Sequence, residues 1–578
     1  MKKEDKNVCL EIVKLFKPYK WKISIIIALI LISSIVTTII PIINQHLMDN
    51  GLIAKDIKVI VRYSIYELIL VFIIQFLGIL ETKKRSYMQN LLAFNLEKNA
   101  FEHTLKLKIK FFTDTNNAEM ISNLKTDIGN ISQIANEHTF YIVTSIFRII
   151  VGVIGLLIIN WKLSFLVIIL TPIRYVLVKY LAKSRKNLIF NYINTYKNYS
   201  KWYGDTIAGI KEVKIWALEL LKLNEFEKRQ NKIIKQNVKL SYLEKANEIS
   251  ECIFTQIITS FIYIIGGCML LGDGVTVGKL FAFITYSNYV TGPIFSIMNI
   301  GYSFAGIIPS AKRYFEFMNI EEEDYPKSIT ISNPNLDKVQ GCIEFKDVCF
   351  SYNPQKKVLN NISFKINPGE KVAIIGSNGA GKTTIINLIL RFLKPTSGKI
   401  LLDGNDINLL PLTDYRKLIS VVSQEVYLFN TTIQDNIILN SEKGIEEMNT
   451  ATKKSGAYDF IDKLPDKYKS VVGESGGKLS GGERQKVAMA RAFVRNFKLL
   501  ILDEATANYD VEAETMVNNI INQDFKDRTI IVITHKIDIL SKVDKIIVIN
   551  NGQVDDIGSN YELSQRNRFY KEMIKEYE

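Results

Sequence analysis

A chain of 578 residues is too long for one hydrophobic core and calls for two or more domain-sized units. Its 47% apolar content is ordinary for a globular enzyme, but it averages two unlike halves. Roughly the first 310 residues contain several uncharged apolar runs of membrane length, and the rest contain none. The net charge of +14 is concentrated, with fourteen Lys and Arg between residues 183 and 245 and eight between 83 and 125. Segments on the other side of the spans offer chiefly Lys55, Lys58, Lys162 and Lys279. That is the loop asymmetry of a membrane protein, and it excludes nucleic acid as the partner. The cysteines (Cys9, Cys252, Cys268, Cys342, Cys349) form no CxxC or metal pattern and read as packing residues.

Residues 1–22 are basic and amphipathic, with no apolar core or cleavage site, and are expected to lie as a helix on the membrane surface. Residues 23–43 then carry no charge, enough helix to cross a hydrocarbon core about 30 Å thick. Further spans are expected at 59–80, 140–159, 163–181, 253–271 and 280–310. Six spans put both chain ends on one side, which the basic connections mark as the cytosol. External turns are short, but the cytosolic connections 81–139 and 182–252 are long and helical in pattern. They predict helices that run on past the bilayer, with short transverse helices around 113–121 and 202–211 as docking surfaces. Arg148, Arg174 and Lys179 fall inside spans, where a cation costs about 2.5–3.5 kcal/mol on insertion scales. They read as a basic lining of an internal cavity, as ion-pair partners of Glu67 or Glu251, or, above all for Lys179, as cations snorkelling to the headgroups. Arg174, two residues after Pro172, is the favoured cavity residue.

Residues 321–340 are polar, with Pro326 and Pro334, and read as a linker. From 341 to 578 short β-rich runs alternate with helical segments. The expected fold class is therefore an all-α membrane domain of six transmembrane helices with long cytosolic extensions (1–320), followed by an α/β P-loop ATPase domain.

A buried-strand pattern at 372–375 runs into G-S-N-G-A-G-K-T at 376–383 and then an apolar helix. This strand–loop–helix context is what a phosphate-binding loop requires. Its glycines bring backbone N–H groups to the phosphates, and the helix N-terminus adds positive potential. The expected nucleotide-binding residues are Gly376, Ser377, Asn378, Gly379, Ala380, Gly381, Lys382, Thr383 and Thr384. Lys382 would reach the β/γ-phosphates and Thr383 would ligate Mg²⁺. A second buried strand, 499–502, ends at Asp503 and Glu504. Asp503 is assigned to Mg²⁺ and Glu504 to polarising the attacking water. A third, 530–533, ends at His535, a candidate γ-phosphate contact.

The run L-S-G-G-E-R-Q at 479–485 resembles the signature sequence of ABC transporters, and A-R-A around Arg491 fits the same pattern. Gln424 in V-V-S-Q resembles the family's Q-loop, a metal and catalytic contact, and Tyr352 in C-F-S-Y resembles the aromatic that stacks on adenine. V-V-G-E-S-G at 471–476 and Asp510 fit two further family segments, although the D-loop reads A-N-Y-D where the family commonly has S-A-L-D. With six spans ahead of these motifs, the chain resembles a type IV exporter half-transporter over its whole length. The resemblance implies two cassettes closing head to tail over two ATPs, each held between one loop 376–383 and the Ser480, Gly481 and Gly482 of a second half-transporter, expected to be an identical chain. It also implies coupling helices in the cytosolic connections, a place in the cell membrane with the cassette in the cytoplasm, and export of an amphipathic peptide, lipid or drug-like molecule. The alternative is a regulatory ATPase or gated channel on the same scaffold, which commonly carries damaged catalytic residues; none is present here.

Overall fold

The computed structural model describes residues 3–577 apart from 116, 272–274, 324–337, 354–355, 440, 442, 506–518 and 520–522. The chain divides into two compact units, Met1–Leu105 with Asn116–Ile320, and Lys106–Thr115 with Glu321–Glu578.

The first unit is helical. A short amphipathic helix, α1 (Lys3–Phe16), leads into α2 (Lys20–His46), a π-helical turn (Leu47–Ile53) and α3 (Ile57–Thr104). Then come α5 (Asn117–Ser132), α6 (Glu137–Ile159), α7 (Trp161–Ala208), α8 (Ile210–Ile215), α9 (Glu219–Leu271), α10 (Val277–Thr291) and α11 (Pro293–Met318). Boundaries follow the caps. Asp56, Asn136, Asn160 and Thr276 each accept backbone N–H bonds from the first turn they precede. α3 and α7 have 48 residues and α9 has 53, so each is well over twice as long as a bilayer core is thick. Among the described residues four helical stretches are long and apolar enough to cross a membrane, 7–53, 57–104, 119–159 and 219–271, and the apolar start of α7 adds a shorter run.

The expected sixth span, 280–310, runs through α10 and α11, which meet at Gly292 ahead of Pro293, a residue with no N–H to continue the ladder. One expectation needs correction. The short helices lie elsewhere than 113–121 and 202–211. One is α4 (Ile109–Asp114), which belongs to the second unit, and the other is α8. Trp202 is still inside α7, which ends at Gly209.

The buried apolar core of the membrane unit is built from α6, α7, α9 and α10, and α2 packs against α6 and α10. Gly152 and Gly155 let α6 approach α10 so closely that a Cβ on Gly155 would come within 2.9 Å of the Tyr286 ring. Tyr286 and Tyr289 in turn donate to the Thr38 and Thr37 carbonyls of α2 (3.1 and 3.2 Å). At one end of the same helix pair, Asp49 accepts from Thr276 Oγ1 (2.6 Å) and the Gly278 backbone (2.8 Å). Arg148 is half-buried on the α6 face that meets α10, with its guanidinium 5.7 Å from the Tyr289 ring and its Nε without a hydrogen bond. It has no carboxylate partner among the described residues. The side chains of Arg174 and Lys179 lie outside the described residues.

The second unit holds two sheets. One is antiparallel, in the order β2 (Lys356–Ile366), β1 (Ile343–Asn353), β4 (Ser397–Leu402), β5 (Asn405–Asp406). The other has the order β10 (Gln553–Gly558), β9 (Lys545–Asn550), β3 (Lys371–Gly376), β8 (Thr529–Ile533), β7 (Leu499–Asp503), β6 (Ile419–Val422). All its pairs are parallel except β10–β9. Its central strands read as unbroken apolar runs because both faces are covered. One core joins both sheets to helix α12 (Lys382–Ile389), and another packs α17 (Gly481–Phe493) with α14 (Ile433–Ile438) and α15 (Ile445–Lys454).

Residues 106–110 and 321–323 form a strap on this unit. Glu323 N donates to the Lys106 carbonyl (2.7 Å), Leu107 bridges Glu322, and Lys108 pairs with Glu321 (2.6 Å). Glu323 receives both terminal nitrogens of Arg416 at 3.0 Å, and Arg416 lies over the Phe392 ring. Part of the expected linker at 321–340 is therefore ordered against this unit; 324–337 lie outside the described residues.

Candidate active site

Parallel strands deliver their C-terminal ends to one edge of a sheet, the usual place for a ligand crevice. Ile374 of β3 pairs with Ile533 of β8, Ile533 with Asp503 of β7, and Leu502 with Val422 of β6. The residues that follow these strand ends are the loop after Gly376, then His535, Glu504 and Gln424. Four stretches scattered over about 160 residues of sequence thus converge by register alone.

The loop is built from backbone that side chains tolerate poorly. Gly379 and Gly381 have φ of +80° and +105°, and a Cβ on Gly376 would sit 2.2 Å from the Ile549 carbonyl. Lys382 opens α12 and bends back, donating to the carbonyls of Gly376 (2.6 Å) and Ser377 (3.1 Å). Burial lowers its pKa, while Glu504 and Asp503 act against that. Thr384 is buried under the loop, 3.4 Å from the Tyr352 hydroxyl, and Thr383 is exposed beside it. Tyr352 stands edge-on to Phe350, with 47% of its surface open. Ser377, Asn378 and Gly379 are exposed and Ala380 is buried.

Facing the loop is an acidic pair. Asp503 has its pKa raised by burial and then by Glu504, with Lys382 opposing. Glu504 accepts from Gln424 Nε2 at 2.6 Å and has φ of +47°, a left-handed backbone that a non-glycine residue rarely adopts. Its N–H is held by the Ile533 carbonyl (3.0 Å), which fixes the kink where β7 ends. His535 has its pKa lowered by burial and by Lys382, with Glu504 opposing, so its ring is neutral at pH 7. Lys382, Asp503, Glu504, Gln424 and His535 therefore form one group. Among the described residues no cluster of three His, Cys, Asp or Glu forms an all-protein metal cage.

Ser480, Gly481 and Gly482 are not in this group. Ser480 caps α17, with reciprocal bonds to Glu483 (3.3 and 2.8 Å), and is exposed, while Gly481 and Gly482 behind it are half-buried. That helix belongs to the second core, whereas the loop sits on the first. Asp510 and the rest of 507–510 lie outside the described residues. The Arg391–Phe392 segment beneath the strap and the Glu323–Arg416 pair carry no motif and were invisible in the sequence. The left-handed backbone of Glu504 was equally hidden, since no pattern around it announces a kink.

Family models for the ABC transporter transmembrane region and for the ABC transporter match residues 23–294 and 359–507. The chain is 27% identical over 567 residues to a putative multidrug export ATP-binding/permease protein of Bacillus subtilis, covering 96% of this chain and 97% of that one. It is 29% identical over 538 residues to an ATP-dependent lipid A-core flippase of Alcanivorax borkumensis, covering 92% and 90%. A bacterial Atm1-family ABC exporter, solved with ATP bound, shares the fold at a TM-score of 0.82 and 24% identity, covering 96% of this chain and 98% of that one. The chain belongs to the ABC transporters, as an exporter half-transporter with one membrane domain and one nucleotide-binding domain on a single polypeptide. It is a multi-pass membrane protein whose ATP hydrolysis is coupled to export, and half-transporters of this family generally work as dimers.

Proposed function

We propose that the protein is one half of a cell-membrane exporter, paired with a second copy of itself, that binds two ATPs with Mg²⁺ and moves an amphipathic molecule out of the cytosol. The convergence of Lys382, Asp503, Glu504, Gln424 and His535 at one sheet edge carries this reading. Residues 1–320 act as the membrane domain and 341–578 as the nucleotide-binding domain, with 106–115 lent by the former to the surface of the latter.

The loop fits a polyphosphate, because its glycines leave room for backbone N–H donors and Lys382 already lies along it. Tyr352 offers an open ring face for adenine. A hard dication fits Thr383, Gln424 and Asp503, since oxygen donors suit Mg²⁺ and the raised pKa of Asp503 marks a buried carboxylate short of positive charge. When bound, Mg²⁺ neutralises charge on the phosphates as the terminal bond breaks. Glu504 orients the attacking water and takes its proton, Gln424 fixes that carboxylate, and neutral His535 donates toward the γ-phosphate. Ser480, Gly481 and Gly482 of each copy complete the partner's site with a helix N-terminus. Intact catalytic residues favour transport over a regulatory ATPase or gated channel.

Two observations support the substrate class. Relatives are named for lipid A-core and for drugs, and Arg148 places a half-buried cation among the membrane helices. Peptides share that amphipathic chemistry. Glu504→Gln should bind ATP normally and hydrolyse it at least ~10²-fold slower, because the base is lost while phosphate contacts remain. Near-normal turnover of the purified variant would overturn the assignment.

A further inference from the structure

The helices around Arg148 offer it no counter-charge. Asn160 ends α6 at the outer turn and Arg148 precedes it by twelve residues, about 18 Å of helix. That places the cation near the middle of a hydrocarbon core about 30 Å thick, too deep to snorkel freely. The helices that pack most against α6 are α10, α11, α2 and α7. Together they carry two carboxylates, Asp205 and Glu316, both in the cytosolic ends of α7 and α11. Glu137 of α6 itself is about three turns away. Glu67 lies on α3 and Glu251 on α9, neither of them one of these neighbours.

Ser145, Arg148, Gly152 and Gly155 follow one another at three and four residues and so share one face of α6. On that face Gly152 and Gly155 meet Tyr286, Tyr289 and Val290 of α10. Ser145 is fully buried, and among the described residues neither its hydroxyl nor the buried Nε of Arg148 makes a hydrogen bond. The Tyr289 ring, 5.7 Å from the guanidinium carbon, is a weak partner at that range, and its hydroxyl donates to the Thr37 carbonyl. A buried hydroxyl and a buried guanidinium nitrogen left bare on one face cost stability until something pairs with them. We infer that Ser145 and Arg148 are the charge-recognition point for the transported molecule, an amphipathic compound bearing one singly charged oxyanion such as a carboxylate. The guanidinium gives paired N–H donors to that group, the Ser145 hydroxyl gives another, and one cation on the face neutralises one negative charge. That the ligand is transported rests on the export reading above; that it binds does not.

The full-length protein in phosphatidylcholine nanodiscs is titrated at pH 8 with 11-(dansylamino)undecanoic acid and with its primary amide, against empty nanodiscs, and binding is read by dansyl fluorescence. The acid should bind saturably and about 10-fold more tightly than the amide. Arg148→Gln should bring the acid to the affinity of the amide, and Arg148→Lys should keep a preference for the acid. Ser145→Ala should weaken the acid several-fold and leave the amide unchanged. Dodecyl phosphate, doubly charged at this pH, should displace the acid less well than dodecanoate does. With no ion pair to lose, Arg148→Gln should keep or raise the melting temperature. Equal binding of acid and amide to the wild type overturns the inference, and so does a preference for the acid that survives Arg148→Gln. A melting temperature lowered by Arg148→Gln would make the residue a structural strut and overturns it too, as would stronger displacement by dodecyl phosphate. Uptake of both probes into inside-out proteoliposomes tests export separately. If neither enters in an ATP-dependent way the export reading fails, whereas ATP-dependent uptake with no difference in affinity between acid and amide fails this inference alone.

Discussion

The role proposed for His535 depends on its protonation state. Burial and Lys382 hold its pKa below the usual histidine value of about 6.5, so at neutral pH the ring keeps both a donor and an acceptor. The acidic limb of the ATPase profile should therefore lie below pH 6.5, and His535→Gln should flatten it along with a lower rate. A limb at or above the ordinary histidine value in the wild type would contradict this. Stability follows with the same sign. As pH falls below about 6.5 the unfolded chain takes up a proton that folded His535 still refuses, so acid removes stability that is fully present above that value. Stability of the isolated residue's contribution stops changing once the pH is below the folded pKa as well.

At the scale of elements, close approach decides more than apolarity does. A Cβ on Gly278 would lie 2.3 Å from the Gln45 carbonyl and 2.7 Å from the Asp49 carboxylate, in the contact that ties the start of α10 to the end of α2. The first is backbone, and the carboxylate is held in place by the Thr276 hydroxyl and the Gly278 N–H. Gly278→Ala should cost about 1–3 kcal/mol, the usual price of overpacking, and lower the melting temperature in detergent. An unchanged melting temperature would show that the two ends are free to separate. Gly78, by contrast, has nothing within 4 Å of its Cβ position, and Gly78→Ala serves as the neutral control.

Elements also show how far a sequence can be read. The edge where Lys382, Asp503, Glu504 and His535 converge was legible because each follows a continuous apolar strand, and parallel pairing brings strand ends together whatever their separation in the chain, whereas Gln424 was legible only through the family resemblance. The short helices were not. The run from Trp202 to Ala208 keeps helical periodicity to its last residue, and nothing in it says that α7 has yet to end. Only Gly209, which accepts the C-cap, marks the stop. The break at Gly292 was likewise masked by an apolar pattern that continues across it, although Pro293 was there to be read. The strap escaped notice because Glu323 and Arg416 are 93 residues apart and ordinary in type. Charge pairs at that distance leave no periodic trace.

For the whole molecule the decisive matter is which copy supplies what. Mixed dimers with Lys382→Ala in one copy and Gly481→Asp in the other concentrate both lesions in one composite site. Placing both changes in the same copy damages both sites. The separated pair should keep substantial ATPase activity and the combined pair should have almost none, because a carboxylate beside the γ-phosphate is a like-charge contact in a water-poor interface. Equal activities in purified mixed dimers would rule out the head-to-tail arrangement.

The strap gives the polypeptide a property that its linear map hides. The nucleotide-binding domain is joined to the rest of the chain not only through residues 321–340 but also through a clasp that holds when the backbone is cut. A protease site inserted between residues 324 and 337 would leave residues 106–110 and 321–323 on the membrane fragment, while Arg416 and Phe392 go with the other. The Arg416–Glu323 pair has two charge-assisted bonds, and the carboxylate is only 10% exposed, so it contributes about 1–3 kcal/mol to keeping the pieces together. In cleaved protein Arg416→Ala should therefore weaken the association of the fragments about 5- to 150-fold, read as the dilution at which they part in size-exclusion chromatography. Fragments that part at once without that substitution would show the peptide linkage to be the only bond. On this view a nick in the connection is survivable, and the exporter is stapled twice.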